Sequence, residues 1–476
     1  MVSGGRCDMS TMGWDGLAAC VIKHDYCCGC GVCAGVCPAG ALEMRFNANG
    51  EYRPCLSGGC AGCGLCAKVC PFAEGNPNED ALAKDLFAAV PHIKHAVETG
   101  YYLDMFVGHA ADPAVREGGA SGGMATWFLE KLLSEKAVDY VMCVGAHDVS
   151  GQLFHYTVCR SAAEIRSCSR SCYYPVTAQE MVSFAANNEG RCAIVGLPCV
   201  CKAIRLAQQR SNRLRERIKY VVGLVCGQTK SKFFAEYICA MGGGDPSKLM
   251  KVKFRVKDAR RPATDFGLAF SCVTDNGALR EGTVFWTEGM GRAWGGRHFT
   301  PKACDFCDDI YAECADIVFM DAWLPGYGED WRGHSIALCR KPGMETFLRG
   351  GELEEIPVEM VIESQKGVVK SKRRHLAYRL FAAVAEGCTV PTKRVSPSNS
   401  SLSFIDRQRL DCLSATARRS PGNWLASGKD HVKYDRLMER QVRKGKLVLS
   451  MCKLLVAPYV FLKRIGQHAM KRGIRR

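Results

Sequence analysis

Cys27-Cys28-Gly29-Cys30-Gly31-Val32-Cys33-Ala34-Gly35-Val36-Cys37-Pro38 and Cys60-Ala61-Gly62-Cys63-Gly64-Leu65-Cys66-Ala67-Lys68-Val69-Cys70-Pro71 are two copies of one pattern, C-x2-C-x2-C-x3-C-P. Such a run holds a cubane [4Fe–4S] cluster, the fourth cysteine of each run ligating the other cluster. Three thiolates on one tight loop reach three irons, and the fourth starts a helix that leads away. Cys27, Cys30, Cys33 and Cys70 are therefore expected to hold one cluster, and Cys60, Cys63, Cys66 and Cys37 a second. Gly29, Gly31, Gly62 and Gly64 stand where the backbone must wrap around sulfide with positive φ. Zinc knuckles also use C-x2-C steps, but zinc does not need an x2-x2-x3 run closed by proline, twice over.

Around these loops lie 476 residues, enough for two to four domains and a sizeable core. The chain has 29 cysteines, and clusters need reduced thiolates, so a reducing cytosol, as in an anaerobe, is the expected compartment. Met1 to Ala19 lacks the basic start and apolar run of a signal peptide. No stretch of about 18 uncharged apolar residues reads as a membrane span. The expected localisation is cytoplasmic, at most peripheral to the inner face of the membrane. The net charge of +16 is uneven. Residues 366–476 carry 26 Lys and Arg against 6 Asp and Glu, while the rest carries 38 against 42. The positive excess belongs to the C-terminal part, and so do the partners it attracts.

After a polar boundary at Glu74–Asp80, Ala81 to Tyr102 reads as a connecting helical segment interrupted near Pro91. The pattern then becomes α/β. Met124, Trp127, Phe128, Leu132 and Leu133 recur at helical spacing. Val138–Val144, Cys192–Val195, Tyr220–Val225 and Asp316–Met320 are short apolar runs that read as strands. Alternating strands and helices predict a mostly parallel or mixed sheet with active groups at the strand ends.

Two constellations stand at those ends. Ser121-Gly122-Gly123, leading into a helix, offers free backbone N–H groups to an anion such as a phosphate. Cys199 and Cys226 each follow an apolar strand, and Cys304-Asp305-Phe306-Cys307 adds two thiols at metal-ligand spacing. Together Cys199, Cys226, Cys304 and Cys307 are expected to hold a third [4Fe–4S] cluster. Cys201 and Cys314 are rival ligands. Cys143, Cys192, Cys239 and Cys272 lie inside apolar runs and read as buried thiols. Cys7, Cys28 and Cys55 read as free. The 11 histidines show no metal spacing of their own, and the sequence carries no Ser-His-Asp order, hydrolase carboxylate pair or Walker loop.

Several segments, in order, resemble the coenzyme F420 hydrogenase/dehydrogenase beta-subunit family. Gly119-Ala120-Ser121-Gly122-Gly123-Met124-Ala125-Thr126 is similar to its S-G-G-x-x-T helix start. Ser171-Cys172-Tyr173 resembles S-K-Y, with Cys172 at the Lys position. Val195-Gly196-Leu197-Pro198-Cys199 resembles V-G-T-P-C, with Leu197 for Thr. Val222-Gly223-Leu224-Val225-Cys226 is similar to G-L-x-C. Cys304–Cys307 followed by Ala315-Asp316-Ile317 resembles C-x2-C…A-D-I, with Asp321 closing the strand and Met320 where Gly is usual. The resemblance covers Lys23 to about Lys372.

It implies an α+β architecture with a two-[4Fe–4S] ferredoxin-like module at 23–73 and an α/β FAD and iron–sulfur domain at 81–372; the basic stretch at 391–476, outside the resemblance, reads as a helical tail. It also implies an oxidoreductase that passes electrons between clusters and FAD and acts on a small molecule, coenzyme F420 in the namesakes. Ser121, Gly122 and Gly123 would meet the pyrophosphate, and Ser171, Tyr173 and Gly196 would line the flavin site. Arg116 or Lys202 would either supply charge to the phosphates or lie solvated. The catalytic residues are not identifiable from the sequence. The alternative is an electron-transfer subunit, without turnover of its own, in a larger redox or polysaccharide-biosynthesis system. A redox partner protein or ferredoxin is expected in either case.

In the tail, Leu447, Val448, Met451, Leu454 and Leu455 recur at helical spacing among Lys444, Lys446, Lys453, Lys463 and Arg464. A second apolar patch, Tyr459 to Leu462, and Lys471, Arg472, Arg475 and Arg476 follow. A basic amphipathic stretch of this kind docks on an acidic partner or an anionic membrane surface; the alternative is a C-terminal helix packed on the protein's own core with its basic face solvated. No nucleic-acid partner is expected, since the apolar stripe would be left uncovered.

Overall fold

The computed structural model describes residues 13–149, 151–274, 276–443, 445, 447, 450 and 451. The fold is mixed α/β, built on an eight-stranded mixed sheet. Its centre is parallel: Tyr140–Val149, Cys192–Gly196, Ile218–Leu224 and Ile317–Asp321 lie side by side in that order. Their apolar residues are almost wholly enclosed, Ile194, Val221, Val222, Ile317 and Val318 at 0% exposure, as expected of strands covered on both faces. Ser335–Cys339, Met105–His109 and Glu352–Glu355 extend one side antiparallel, and Gln152–Cys159 closes the other. A separate three-stranded antiparallel sheet, Leu249–Val256, Gly267–Val273 and Leu279–Phe285, packs beside it.

The two cysteine runs share a local structure. Gly31 and Gly64, both left-handed, cap the short helices Val32–Gly35 and Leu65–Lys68. Each half reads in sequence as cluster loop, short helix and small strand, Ala41–Phe46 being the first strand, and that repeat is not observed. Leu42–Phe46 pairs with Tyr52–Leu56, so both strands fall between the two runs. Among the described residues no strand follows Cys70 before Lys94–Ala96.

The expected helical connector is helical only over Glu79–Phe87, where Asn78 caps the Ala81 N–H. Beyond it His92 takes φ +62°, and Lys94–Ala96 forms a hairpin with Gly100–Tyr102. Helix Val358–Ala385 buries Val361, Gln365, Val369, Lys372, Leu376 and Leu380, spaced three or four residues apart.

The residues expected to begin the basic tail carry part of the core. Lys393 and Arg394 are buried against Glu79, Asp308 and Glu313 at 2.6–2.9 Å. Burial opposes ionisation of Glu79, yet Lys202, Lys393 and Arg394 hold its carboxyl well below the ordinary range. Trp424 and Tyr434 are fully enclosed, and the Trp424 indole donates to Glu236 at 3.1 Å. Of the predicted amphipathic stripe, Leu447 and Met451 are exposed. Val448, Leu454, Leu455 and Tyr459–Leu462 lie outside the described residues, with Lys444, Lys446, Lys453, Lys463, Arg464, Lys471, Arg472, Arg475, Arg476 and Cys7. No helix among the described residues is long and apolar enough to cross a membrane.

Candidate functional site

The first loop brings Cys27, Cys30 and Cys33 together with Cys70. Burial pushes the Cys33 thiol well up, and the neighbouring Cys27, Cys70 and Cys66 push it further. Cys70 rises to about 12, mainly through burial. The second loop gathers Cys60, Cys63 and Cys66 with Cys37; burial lifts Cys66 to about 11, and the other three sulfurs add to that. Thiols held this way resist ionising alone, and a cation in their midst removes that resistance. Backbone N–H groups already point at the sulfurs: Gly29 to Cys27 and Gly62 to Cys60, each at 3.4 Å. Cys27, Cys30, Cys33 and Cys70 thus lie within electrostatic reach of one another, as do Cys37, Cys60, Cys63 and Cys66, and four thiols of this kind suit iron–sulfur ligation.

Cys199, at the start of helix Pro198–Arg210, meets Cys226, Cys304 and Cys307. Burial raises the Cys226 thiol, Lys372 opposes the rise, and Cys304, Cys199 and Cys307 reinforce it. Lys372, 6% exposed, is itself kept protonated by Cys307, Cys304 and Cys226 against the effect of its burial. Cys304 accepts the Thr229 N–H at 3.4 Å. The rivals lie elsewhere: Cys201 faces Gly196 O at 3.4 Å, and Cys314 is enclosed near Asp309 and Glu79. Cys28, expected to be an idle thiol, links the two sets. Its side chain lies within electrostatic reach of those of Cys30 and Cys199, and all three border one cavity.

Cys28, Cys30, Cys199 and Cys226 form one end of a cavity of about 610 Å³, within the size range of small-molecule and cofactor sites. Ser121, Gly123, Ser171, Tyr173 and Gly196 all line it. Trp286, Trp294, Trp323 and Phe266 supply flat apolar wall. Gly123, with φ +77°, turns the chain into helix Met124–Ser134, whose first turn borders the cavity and leaves backbone donors free for an anion. Ser121 takes a narrower role than its hydroxyl suggested, because that hydroxyl donates to His334 O at 2.6 Å. Gly122 is not on the wall. A Cβ there would stand 2.6 Å from Gly108 O and from Ser335 N, so glycine is required for packing on the sheet.

Neither expected phosphate cation reaches the cavity. Arg116 is buried and pairs with Asp330 at 2.9 Å, and Lys202 is buried against Glu79. The cations on the wall are Arg53, Arg170, Lys230 and Arg255. Arg255, 2% exposed, donates to Asp321 at 2.8 Å and to Ala120 O at 3.0 Å, with Phe266 beneath it. Lys230 donates to His298 O and Thr300 Oγ1, and its burial lowers its pKa well below the usual lysine value. The alternation of Lys251, Lys253, Arg255 and Lys257 in sequence is the only local sign of Arg255, and it reads as an exposed strand face. An aromatic cavity with a glycine-led helix start and buried cations fits a flavin dinucleotide, and the three thiol sets fit cubanes.

Comparison with known proteins gives two family matches. Residues 105–183 match the coenzyme F420 hydrogenase/dehydrogenase beta subunit N-term, and residues 189–361 match its C terminus. Among solved structures, a chain of the F420-reducing [NiFe] hydrogenase complex from Methanosarcina barkeri is 18% identical, over 63% of this chain and 99% of that one, with a TM-score of 0.46. No curated protein matches.

Proposed function

The chain belongs to the coenzyme F420 hydrogenase/dehydrogenase beta-subunit family, and from that membership we propose an oxidoreductase in which three [4Fe–4S] clusters are wired to FAD. The observation that carries the reading is the adjacency of Cys30, Cys28 and Cys199 on the wall of the aromatic cavity, which brings the first loop beside the third thiol set. When bound, the clusters supply one-electron steps and the flavin converts between one and two. The protein's residues do the rest. Cys27, Cys30, Cys33 and Cys70, then Cys60, Cys63, Cys66 and Cys37, then Cys199, Cys226, Cys304 and Cys307 would hold the clusters. Gly123, Ser171, Tyr173 and Gly196, with the first turn of Met124–Ser134, would hold the flavin. Lys372 offsets negative charge at the innermost thiol set, and the enclosing core excludes water.

Exposure gives the wire a direction. Cys60 and Cys63 are exposed, Cys30 and Cys33 buried, so a redox partner protein or ferredoxin would meet the second loop. The small molecule would meet the flavin. Cys172, Leu197 and Met320, the three departures from the family pattern, all line the cavity. They replace a charge, a hydroxyl and an open space with apolar bulk. The favoured partner is therefore a small molecule less polar than coenzyme F420 itself.

The test is anaerobic reconstitution of the full chain. About twelve irons, from three cubanes, and one FAD are expected. Cys304→Ser should remove about four irons and stop flavin reduction by reduced ferredoxin while leaving FAD bound. A wild-type chain with about eight irons, whose flavin is reduced equally well in Cys304→Ser, would overturn the proposal.

A further inference from the structure

Outside the twelve proposed cluster ligands, three further cysteines converge on the hairpin at the end of the large sheet. Cys143 pairs with Thr157, and Val141 with Cys159. Cys143 and Cys159 therefore stand diagonally on one face of adjacent strands. Helix Ala162–Ser167 ends at Cys168 and brings its thiol onto that face. The Cys143 and Cys159 sulfurs are 3.6 Å apart, those of Cys159 and Cys168 3.8 Å, and all three lie within 4.8 Å of one another. Cys143 and Cys159 are buried and Cys168 half-buried. Two of them, Cys143 and Cys168, also line the cavity wall.

We propose that Cys143, Cys159 and Cys168 form a three-thiolate site for a thiophilic cation, Zn2+ or Cu+. Thiolates at about 2.3 Å from a tetrahedral zinc stand about 3.8 Å apart, close to the separations seen. A disulfide needs about 2.05 Å, so these pairs are spaced for a shared cation and not for a bond. Gly145 keeps the neighbouring space open: a Cβ there would lie 2.8 Å from Cys168 Sγ and 3.0 Å from Thr157 Oγ1. Thr157 Oγ1 is in turn 3.3 Å from His155 Nε2. The Nδ1 atoms of His155 and of its ring neighbour His147 are buried without a hydrogen-bond partner. Soft thiolates select Zn2+ and Cu+ over hard cations, and three protein ligands leave a fourth position for water or a hydroxyl. The proposal is independent of the flavin and cluster assignments, since it uses none of their residues as ligands.

The experiment uses the full chain, loaded with iron, purified anaerobically and analysed for zinc and copper. Wild type should retain one equivalent of zinc or of copper beyond its iron, the metal found naming the occupant. Cys168→Ser, at the half-buried helix end, should weaken retention against a chromophoric chelator at least tenfold with iron unchanged. Gly145→Ala should do the same with all three thiols present, which separates crowding of the site from loss of a ligand. Cys272→Ser, a buried thiol elsewhere in the fold, should leave the metal in place. Equal retention by wild type and Cys168→Ser, no zinc or copper in wild type, or a disulfide among the three cysteines in a non-reducing peptide map would each overturn the site.

Discussion

The two cysteine loops share a backbone and differ in everything around it. In both, an N–H two residues along reaches the first sulfur at 3.4 Å, and a left-handed glycine caps a four-residue helix. The first loop is clamped. A Cβ on Gly31 would collide with Thr177 Oγ1 and stand 3.0 Å from Gln179 N, and one on Gly35 would stand 2.6 Å from Gln179 O. The second is touched by Gly13 and Trp14 but open at Gly62, the counterpart of Gly29: a Cβ on Gly62 would meet nothing within 4 Å, whereas one on Gly29 would stand 3.0 Å from Tyr52 O. Local sequence therefore sets the geometry of each loop, while contacts with Thr177–Val182, distant in sequence, seal in the first and the second keeps Cys60 and Cys63 exposed.

The largest expected effect tests that clamp. Gly31→Ala combines left-handed strain of about 1–2 kcal/mol with overpacking of about 1–3 kcal/mol against backbone. Gly62→Ala has only the strain. Thermal unfolding of the loaded chain should show the first variant destabilised two- to threefold more than the second. Equal losses would mean that the first loop is not held by the larger domain.

Next in size is a difference in rate. A chelator should strip about four irons, one cubane, quickly from wild type through exposed Cys60 and Cys63, and the remainder slowly. Cys66→Ser should abolish the fast phase, and Cys33→Ser should keep it. A single uniform phase in wild type would erase the contrast between inner and outer loop.

The loops themselves were legible because iron ligation imposes a spacing that survives in one dimension. Three of the four parallel strands were legible for a similar reason: each is an apolar run closed by Gly196, Cys226 or Asp321. Features made by distant pairs were not. Lys202 is buried only because Glu79, itself held by Lys393, meets it from 123 positions away in the chain, and no local pattern distinguishes it from a solvated lysine. Arg255 sits on an alternating basic strand and is aimed inward by Asp321 and Phe266. The Lys94–Tyr102 hairpin was read as helix because its charged residues carry no strand alternation. The basic C-terminal part was read as peripheral from its charge, whereas Trp424 and Tyr434 anchor part of it in a core shared with Phe234 and Phe299. Cys168 reaches Cys143 and Cys159 only because a helix intervenes, so the three-thiol group has no sequence signature.

The smallest expected effect concerns charge beside the inner loop. Arg53, 7% exposed, donates to Glu51 at 2.6 Å. Burial raises the Cys27 thiol, and the Arg53 charge pulls it back down. Burial likewise raises the Glu51 carboxyl while Arg53, its ion-pair partner at 2.6 Å, opposes the rise. Arg53→Gln removes the cation and lifts the Glu51 pKa further. Below that pKa, Glu51 takes up a proton, no net charge is lost, and the inner cluster's potential should match wild type. As pH rises through it, the carboxylate ionises unpaired and opposes addition of an electron. The potential should then fall by about 30–60 mV, where about 59 mV is a tenfold change for one electron. Glu51→Gln combined with Arg53→Gln removes the titrating group and should abolish the pH dependence. The outer loop's potential, followed by EPR-monitored titration in the same samples, should not move. A shift shared by both clusters, or one that persists at every pH in the double variant, would show that this ion pair does not set the inner loop apart.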